Sequence, residues 1–181
     1  RGVEISYADL NSVLSHDGLK DAYDGSMMGI TGETIADEAE ISREVSDEYA
    51  LRSHTLANKA WDEGWFSEEC ISIDELDRDE GIRSNTTREG LAELRTVFKQ
   101  DGQVTAGNAS QVSDGASAIL IASLEVATNN GWPILAKIVD FTTSGVEPHR
   151  VMSAPIPAIE SLLERNSLDI SDIDILEHNE A

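Results

Sequence analysis

Residues 104–110 read Val-Thr-Ala-Gly-Asn-Ala-Ser, and residues 113–118 read Ser-Asp-Gly-Ala-Ser-Ala. Small side chains on such a loop let a ligand approach the backbone closely. The stretch continues into a short apolar run, residues 116–122, whose composition is typical of a buried strand. The sequence therefore predicts a ligand-binding loop that leads into the core of the fold.

Upstream of this stretch the pattern is mainly helical. The clearest helix is predicted over residues 47–60, with Ser42 as a natural N-cap and Gly64 placed to end it. Its predicted apolar face consists of Val45, Tyr49, Leu56 and Ala60. Residues 65–79 alternate poorly and are predicted to form an extended, exposed connector.

A second helix is predicted to start at Thr86, where Thr86 and Glu89 have the spacing of a capping box. Its apolar stripe would consist of Leu91, Leu94 and Phe98. Ordinary core packing is therefore an alternative to ligand binding for Leu91 and Phe98, which would share one helical face.

Downstream of residue 102, short apolar runs alternate with helical segments. Strands are predicted at residues 119–122, 134–141 and 173–176. Pro155 and Pro157 open an amphipathic helix that carries Ile159, Leu162 and Leu163. This alternation predicts a layered α/β fold.

Thirty-five acidic residues against thirteen basic ones give a formal charge of −22. Such a chain repels nucleic acid and anionic membranes, so neither is expected as a partner. The acids are dispersed along the chain, which predicts a salt-adapted cytoplasmic protein; an ordinary acidic bacterial protein is the alternative. No apolar run is long enough to cross a membrane. The single cysteine, Cys70, fits a reducing compartment.

Cys70 is the first candidate nucleophile, but Glu68 and Glu69 precede it. Neighbouring carboxylates disfavour the thiolate that a nucleophile needs, so a buried or half-buried structural thiol is predicted instead. Four histidines occur, and no metal site is predicted because none of them has metal-ligand spacing. They are His16, His54, His149 and His178. His54 is predicted to be a solvated surface residue.

The small-residue loop resembles the CoA-binding loop of the thiolase family. Further stretches resemble the family in the same order along the chain: Asp-Gly-Leu-x-Asp-Ala-Tyr (17–23), Met-Gly-Ile-Thr (28–31), Ile-Ser-Arg-Glu (41–44), Gly-Val-x-Pro (145–148), Pro-Ile-Pro-Ala (155–158) and Asn-Glu-Ala (179–181). The resemblance implies a thiolase-like layered α/β/α fold with a mostly helical loop domain that covers the active site.

The resemblance also implies a domain organisation. Residues 1–100 would form the loop domain, residues 101–130 the end of the N-terminal thiolase half, and residues 131–181 the start of the C-terminal half. Thiolases are about twice this long, with one catalytic cysteine upstream of the region and a histidine and second cysteine downstream. The chain is therefore expected to be a middle fragment, inactive alone, with Arg1 an interior residue.

The activity implied is the condensation of two acyl-CoA units or the cleavage of a 3-ketoacyl-CoA by CoA. CoA thioesters are the substrates and no cofactor is expected; the intact protein would be a homodimer or homotetramer. One alternative is a non-catalytic, thiolase-like CoA-binding or scaffolding subunit. Another is a related condensing enzyme that makes 3-ketoacyl or hydroxymethylglutaryl products, against which the block at residues 105–110 argues.

The resemblance assigns site residues in this chain. Asn179 would hold a water that stabilises the thioester oxygen as negative charge develops on it. Its alternative role is to satisfy backbone groups at a strand end. The implied CoA contacts are Leu19, Met28, Arg83, Leu91, Phe98, Ala106 and Ser110. The apolar ones would line the pantetheine tunnel, and Ser110 would offer its hydroxyl to a pantetheine amide.

Arg83 would lie against the nucleotide end of CoA. It opens a locally basic segment, residues 83–99, which holds four basic residues and two acidic ones. It also precedes a predicted helix N-terminus, which favours anions. Met27 departs from one branch of the family, in which histidine stands before the Met-Gly pair. A methionine makes the pocket more apolar and adaptable, so strict acetoacetyl-CoA specificity is not predicted.

Overall fold

The computed structural model of the chain describes residues 12–180, and the regular secondary structure of these residues is helical. Its α-helices are α1 (Met28–Glu38), α2 (Arg43–Asp62), α3 (Arg88–Ala92), α4 (Leu124–Asn129) and α5 (Pro155–Asn166). A π-helical turn forms at Leu14–Gly18, and 3-10 turns form at Pro148–Ser153 and Ile170–Asp172. In this part of the chain no helix combines the length and the apolar character that a bilayer span requires.

The described residues divide into two compact units. The first unit runs up to Gln111 and also takes Val146–Ser153 and the end of the chain from Asn179. The second unit consists of Val112–Gly145 and Ala154–His178. The predicted domain boundaries near residues 100 and 130 stay predictions.

The long helix forms where the sequence predicts it. The Ser42 hydroxyl accepts a hydrogen bond from the backbone N–H of Val45, which satisfies one donor of the first turn of α2. At the other end, Gly64 adopts a φ of 75°, a left-handed conformation that glycine reaches without strain. The predicted cap and stop of this helix are therefore confirmed.

The predicted apolar face of α2 is confirmed at Ala60 and wrong at its other three residues. Val45, Tyr49 and Leu56 are 58%, 47% and 47% exposed, and the buried residues of the helix are Asp47 and Ala60. The first half of α2 turns a carboxylate inward, because Asp47 has polar partners on both sides of it.

The second helix is shorter than predicted and begins later. Thr87, not Thr86, is the N-cap, and its hydroxyl accepts a hydrogen bond from the N–H of Gly90. The Thr86 hydroxyl instead donates to the carbonyl oxygen of Arg83, so the predicted capping box does not form. Because α3 ends at Ala92, Phe98 is not on it and does not share a helical face with Leu91.

The three predicted strands are also wrong. Backbone pairing among residues 12–180 is limited to three isolated antiparallel bridges, Lys20 with Met27, Ile73 with Leu76, and Thr96 with Thr105. Ile119, Leu120 and Ile121 are 71–83% exposed, and residues 134–141 and 173–176 form no ladder either. An apolar run becomes a buried strand when neighbouring strands pair with it and helices cover the sheet, and among the described residues these three runs have no pairing partner.

In the second unit, a polar cluster joins α5 to the segment before it. The Asp140 carboxylate accepts hydrogen bonds from Arg165 Nη2 at 2.8 Å and Asn166 Nδ2 at 3.0 Å. The Asn166 hydrogen bond, then the Phe141 backbone N–H and the Arg165 charge, hold the pKa of Asp140 below its ordinary value.

The predicted amphipathic helix forms as α5. It begins at Pro155 and ends before Ser167, which adopts a left-handed conformation.

We expect this cluster to make the second unit sensitive to acid. A lowered folded-state pKa gives stability that is present above the unfolded value of 3.8 and is lost as pH falls through the folded one. Asp140→Asn should therefore increase amide exchange in α5 at neutral pH, and the difference from the unmodified protein should vanish in acid. Glu160→Gln, an exposed acid on the same helix, is the control; a difference that persists in acid contradicts the assignment.

Candidate functional site

The first unit contains a groove built from four parts of the chain. A cavity of about 240 Å³ lies between one side of α2, the residue Arg83, the small-residue loop and Glu180. Helix α2 contributes Ser46, Tyr49, Ala50, Ser53 and His54 to its wall, and the loop contributes residues 106–111. Polar groups therefore line most of this cavity.

A second cavity of about 220 Å³ adjoins the first. The two cavities share His54, Arg83, Ala106 and Gly107, so they lie side by side, and together they are called the groove below. The second cavity is the more apolar of the two because Leu91 and Leu94 line it, together with residues of the segment that leads into α3. Arg83 thus stands where a polar compartment meets an apolar one.

The structure brings four of the predicted CoA contacts together. Arg83, Ala106 and Ser110 line the first cavity, and Leu91 lines the second. The side chain of Leu91 is buried at 4% exposure and supports the apolar wall from within. Local sequence spacing does not reveal this assembly, because α2 joins segments that are far apart in the chain.

The other three predicted contacts gather at the start of α1. The backbone N–H of Met28 donates to the carbonyl oxygen of Leu19 at 2.8 Å. The ring of Phe98 lies over Gly29, so close that a Cβ added there would be 2.2 Å from the ring. Neither cavity includes these three residues. The structure therefore sorts the predicted contacts into two separate groups.

Asn179 is exposed and lies outside the linings of both cavities. Its neighbour Glu180 does line the first cavity, where the hydroxyl of Tyr49 donates a hydrogen bond to its carboxylate. Ala181, the last residue of the motif, lies outside the described residues, as does Arg1. The proposed role of Asn179 in holding an oxyanion water stays a prediction.

Two residues lie in surroundings that the sequence did not predict. Cys70 is exposed rather than buried, because it ends a turn in which its N–H donates to the carbonyl oxygen of Phe66. His54 is half-buried rather than solvated and lines both cavities. Its Nδ1 accepts a hydrogen bond from the backbone N–H of Arg83 at 3.2 Å, which fixes the arginine segment to α2.

Carboxylates of α1 and α2 neutralise part of the positive charge of the basic segment near the groove. Arg88 pairs with Glu48 at 2.6 Å, and Lys99 pairs with Asp37 at 2.5 Å. The Arg88 hydrogen bond lowers the pKa of Glu48, and the Asp37 hydrogen bond raises the pKa of Lys99. Arg83 has no carboxylate partner within 4.0 Å among residues 12–180, so its charge is available to a ligand.

The small-residue loop is held by a buried carboxylate that no sequence pattern indicates. Glu33 of α1 is 1% exposed, and its two oxygens accept hydrogen bonds from the N–H groups of Gln103 and Val104, each at 2.8 Å. A Cβ added to Gly102 would come within 2.4 Å of the same carboxylate. Nothing in the pattern around Glu33 distinguishes it from an exposed helix acid, so only the structure reveals its role.

A metal site does not emerge from the geometry. Within residues 12–180, no three histidine, cysteine, aspartate or glutamate side chains are grouped so that they could hold a metal ion.

The groove offers one unpaired guanidinium, hydroxyl groups and an apolar wall. This combination suits an anionic ligand with an extended, partly apolar arm.

Comparison with known families supplies the context for this groove. A family model described as the thiolase N-terminal domain matches residues 1–125, and one described as the thiolase C-terminal domain matches residues 132–181. The chain is 38% identical to the acetyl-CoA acetyltransferase of Rhizobium meliloti (strain 1021) and 36% identical to a probable acetyl-CoA acyltransferase of Staphylococcus aureus (strain COL). Each alignment covers 99% of this chain and 48% of the relative.

Solved structures agree with the sequence comparison. The Bacillus anthracis acetyl-CoA acetyltransferase has a TM-score of 0.87 at 41% identity, over 92% of this chain and 44% of that protein. Human mitochondrial 3-ketoacyl-CoA thiolase in complex with CoA has a TM-score of 0.86 at 40% identity, over 92% and 43%. These likenesses support a thiolase-like α/β fold, although the predicted strands do not pair. The chain spans about half the length of the curated relatives it matches.

Proposed function

The chain belongs to the thiolase family, as its motifs predict, and on this premise we propose that its groove binds CoA thioesters. The full-length protein would act as an acyl-CoA C-acyltransferase. It would join two acyl-CoA molecules, or cleave a 3-ketoacyl-CoA with CoA as the attacking thiol. In either direction an acyl group passes through a thioester on the enzyme, and negative charge develops on the thioester oxygen.

The observation that carries this proposal is the meeting of Arg83, Ala106 and Ser110 on one cavity. CoA presents phosphate groups at its nucleotide end, and its pantetheine arm carries amide groups and ends in the thiol. The unpaired guanidinium of Arg83 suits the phosphates, and the Ser110 hydroxyl suits an amide. Ala106 and Gly107 leave room for the arm to run along the backbone.

Glu180 sits in the same cavity and opposes an anionic ligand. Its carboxylate accepts a hydrogen bond from Tyr49, which spreads part of its charge onto that hydroxyl. We infer that the phosphate end of CoA approaches from the Arg83 side and the neutral arm lies nearer Glu180. This orientation keeps like charges apart.

An assay of the full-length protein tests the proposal. Acetoacetyl-CoA and CoA should be converted to acetyl-CoA, and calorimetry should detect CoA binding. Binding without turnover of acetoacetyl-CoA or longer 3-ketoacyl-CoA substrates would favour the alternative of a non-catalytic CoA-binding subunit. Absence of both would refute the assignment of the groove.

We expect Arg83→Ala to weaken CoA binding. The loss should be at most the roughly 1.5–3 kcal/mol of a hydrogen bond to a charged group, and smaller because Arg83 is exposed to solvent. Calorimetry at fixed salt measures the dissociation constant. Arg95→Ala is the matched control, because Arg95 is also exposed but lines neither cavity. Equal dissociation constants for both variants would leave Arg83 with a structural role only.

We further propose that the protein is adapted to high salt and works in the cytoplasm as a homodimer or homotetramer. The support for salt adaptation is the dispersed charge of −22, with acids such as Glu68 and Glu69 on the exposed surface, whereas the oligomeric state is proposed from membership of the thiolase family. At about 1 M salt the Debye length falls to about 3 Å, which removes the repulsion between such groups. Gel filtration at high salt measures the oligomeric state.

The melting temperature of the full-length protein should rise with KCl. Screening stabilises a surface on which exposed carboxylates repel each other. Thermal melts in dilute buffer, in molar KCl and in sucrose separate charge screening from the general effect of an excluded solute. Stability that is equal or greater in dilute buffer would argue for an ordinary acidic protein.

A further inference from the structure

We propose that Asp47 is a positioning residue that holds the two walls of the groove at the spacing CoA binding requires. This inference rests on the function proposed above. Asp47 lies on α2, is only 6% exposed, and belongs to neither cavity lining. It therefore acts on a ligand only through the residues that it holds.

The two carboxylate oxygens of Asp47 have different partners. Oδ2 accepts a hydrogen bond from Arg43 Nε at 2.7 Å, and Oδ1 accepts one from Asn108 Nδ2 at 2.9 Å. A buried carboxylate is retained at such a place only when its partners compensate its lost hydration. Here each partner leads to a different wall.

Asn108 connects Asp47 to the small-residue loop. Its Nδ2 also donates to the carbonyl oxygen of Gln103, and its Oδ1 accepts from the N–H of Thr105, both bonds being 2.8–2.9 Å long. Thr105 is fully buried, and its hydroxyl accepts from the N–H of Gly107. One amide side chain thus fixes the loop internally and ties it to α2, which places Ala106 and Ser110 on the groove.

Arg43 connects Asp47 to the opposite, apolar wall. Its Nη2 donates to the carbonyl oxygens of Leu91 at 2.6 Å and Leu94 at 3.2 Å, just where α3 ends. The side chains of Leu91 and Leu94 line the second cavity. A single carboxylate therefore orients one guanidinium and one amide, and these two groups fix both walls.

Asparagine at position 47 has the shape of aspartate but only one acceptor oxygen. In Asp47→Asn, the remaining amide oxygen stays toward the charged Arg43 guanidinium, the stronger donor, so its NH2 group faces the Asn108 amide as donor against donor and the loop loses its tie. In Asn108→Ser, the ion pair between Arg43 and Asp47 remains and only the loop is released. Both variants cut the link between α2 and the loop.

The experiment compares Asp47→Asn, Asn108→Ser and their double variant in the full-length protein. We expect each single variant to raise the dissociation constant and the KM for CoA about tenfold, the scale of a displacement of a fraction of an ångström, with kcat changed little. The double variant should bind CoA no more weakly than the weaker-binding single variant, because both substitutions remove the same link between α2 and the loop. Asp62→Asn, an exposed, ion-paired aspartate on the same helix, should bind CoA normally.

Each outcome of this experiment either supports or overturns the positioning role of Asp47. Folded single variants with unchanged CoA affinity, or a double variant whose effects are additive, would overturn the inference. If Asp47→Asn does not fold, Asn108→Ser decides alone, since it keeps the buried ion pair. If the unmodified protein binds no CoA, the proposed function itself fails, which distinguishes that failure from failure of the positioning role.

Discussion

Replacing Asn179 by alanine is expected to lower kcat of the full-length protein by roughly ten- to a thousand-fold, at most the thousand-fold seen when an oxyanion-hole donor is lost and less where the residue acts through a water. A neutral amide can hold a water against the thioester oxygen as charge develops there, and alanine cannot. Because this interaction strengthens in the transition state, KM should change little. Steady-state kinetics of acetoacetyl-CoA cleavage measures both quantities.

Two further variants sharpen this prediction. Asn179→Asp has the same shape but places a carboxylate against the developing negative charge, so it should be at least as slow as Asn179→Ala. Asn129→Ala changes an exposed asparagine at the end of α4 and should be fully active. Wild-type turnover by Asn179→Ala would show that this residue only satisfies local polar groups.

Loss of the Glu33 carboxylate is expected to cause the largest change in stability. Glu33→Ala leaves two part-buried backbone N–H groups, those of Gln103 and Val104, without acceptors. Each unsatisfied buried donor costs about 1–3 kcal/mol, and a cavity adds to the loss. Urea unfolding of the full-length protein measures the free energy, read as a shift of the midpoint at unchanged slope.

Comparison with Glu33→Gln separates the two parts of this effect. Glutamine fills the same space but keeps one acceptor oxygen, so its loss should lie between zero and that of alanine. Glu38→Gln, an exposed acid on the same helix, should have a small effect, since exposed ion pairs contribute about 0–1 kcal/mol. A Glu33→Ala midpoint equal to that of the unmodified protein would mean that the loop finds other acceptors.

Local features were the most predictable part of this fold. Ser42 and Gly64 bound α2 as expected, because a cap and a left-handed stop depend on a few neighbouring residues. The start of α3 was missed by one residue, since Thr86 and Thr87 are chemically equal candidates. The Thr86 hydroxyl donates a hydrogen bond to the carbonyl oxygen of Arg83 instead of capping the helix, and only the three-dimensional structure shows this competition.

The residues of the candidate groove were predicted in part, and its framework was not predicted at all: Leu19, Met28, Phe98 and Asn179 lie outside both cavities. The motif resemblance named Arg83, Ala106 and Ser110, which line one cavity. It did not indicate Glu33 or Asp47, whose importance comes from burial and from partners about sixty to seventy residues away. An acid inside a helix has the same sequence signature whether it faces solvent or a loop that needs its oxygens.

Gly102 restricts which substitutions this protein can accept during evolution. The Glu33 carboxylate occupies the space that any side chain at position 102 would need. The two positions are therefore coupled: an alanine at 102 is expected only where residue 33 has become shorter. A library that varies single positions would score 102 as intolerant, whereas one that varies the pair should recover folded members.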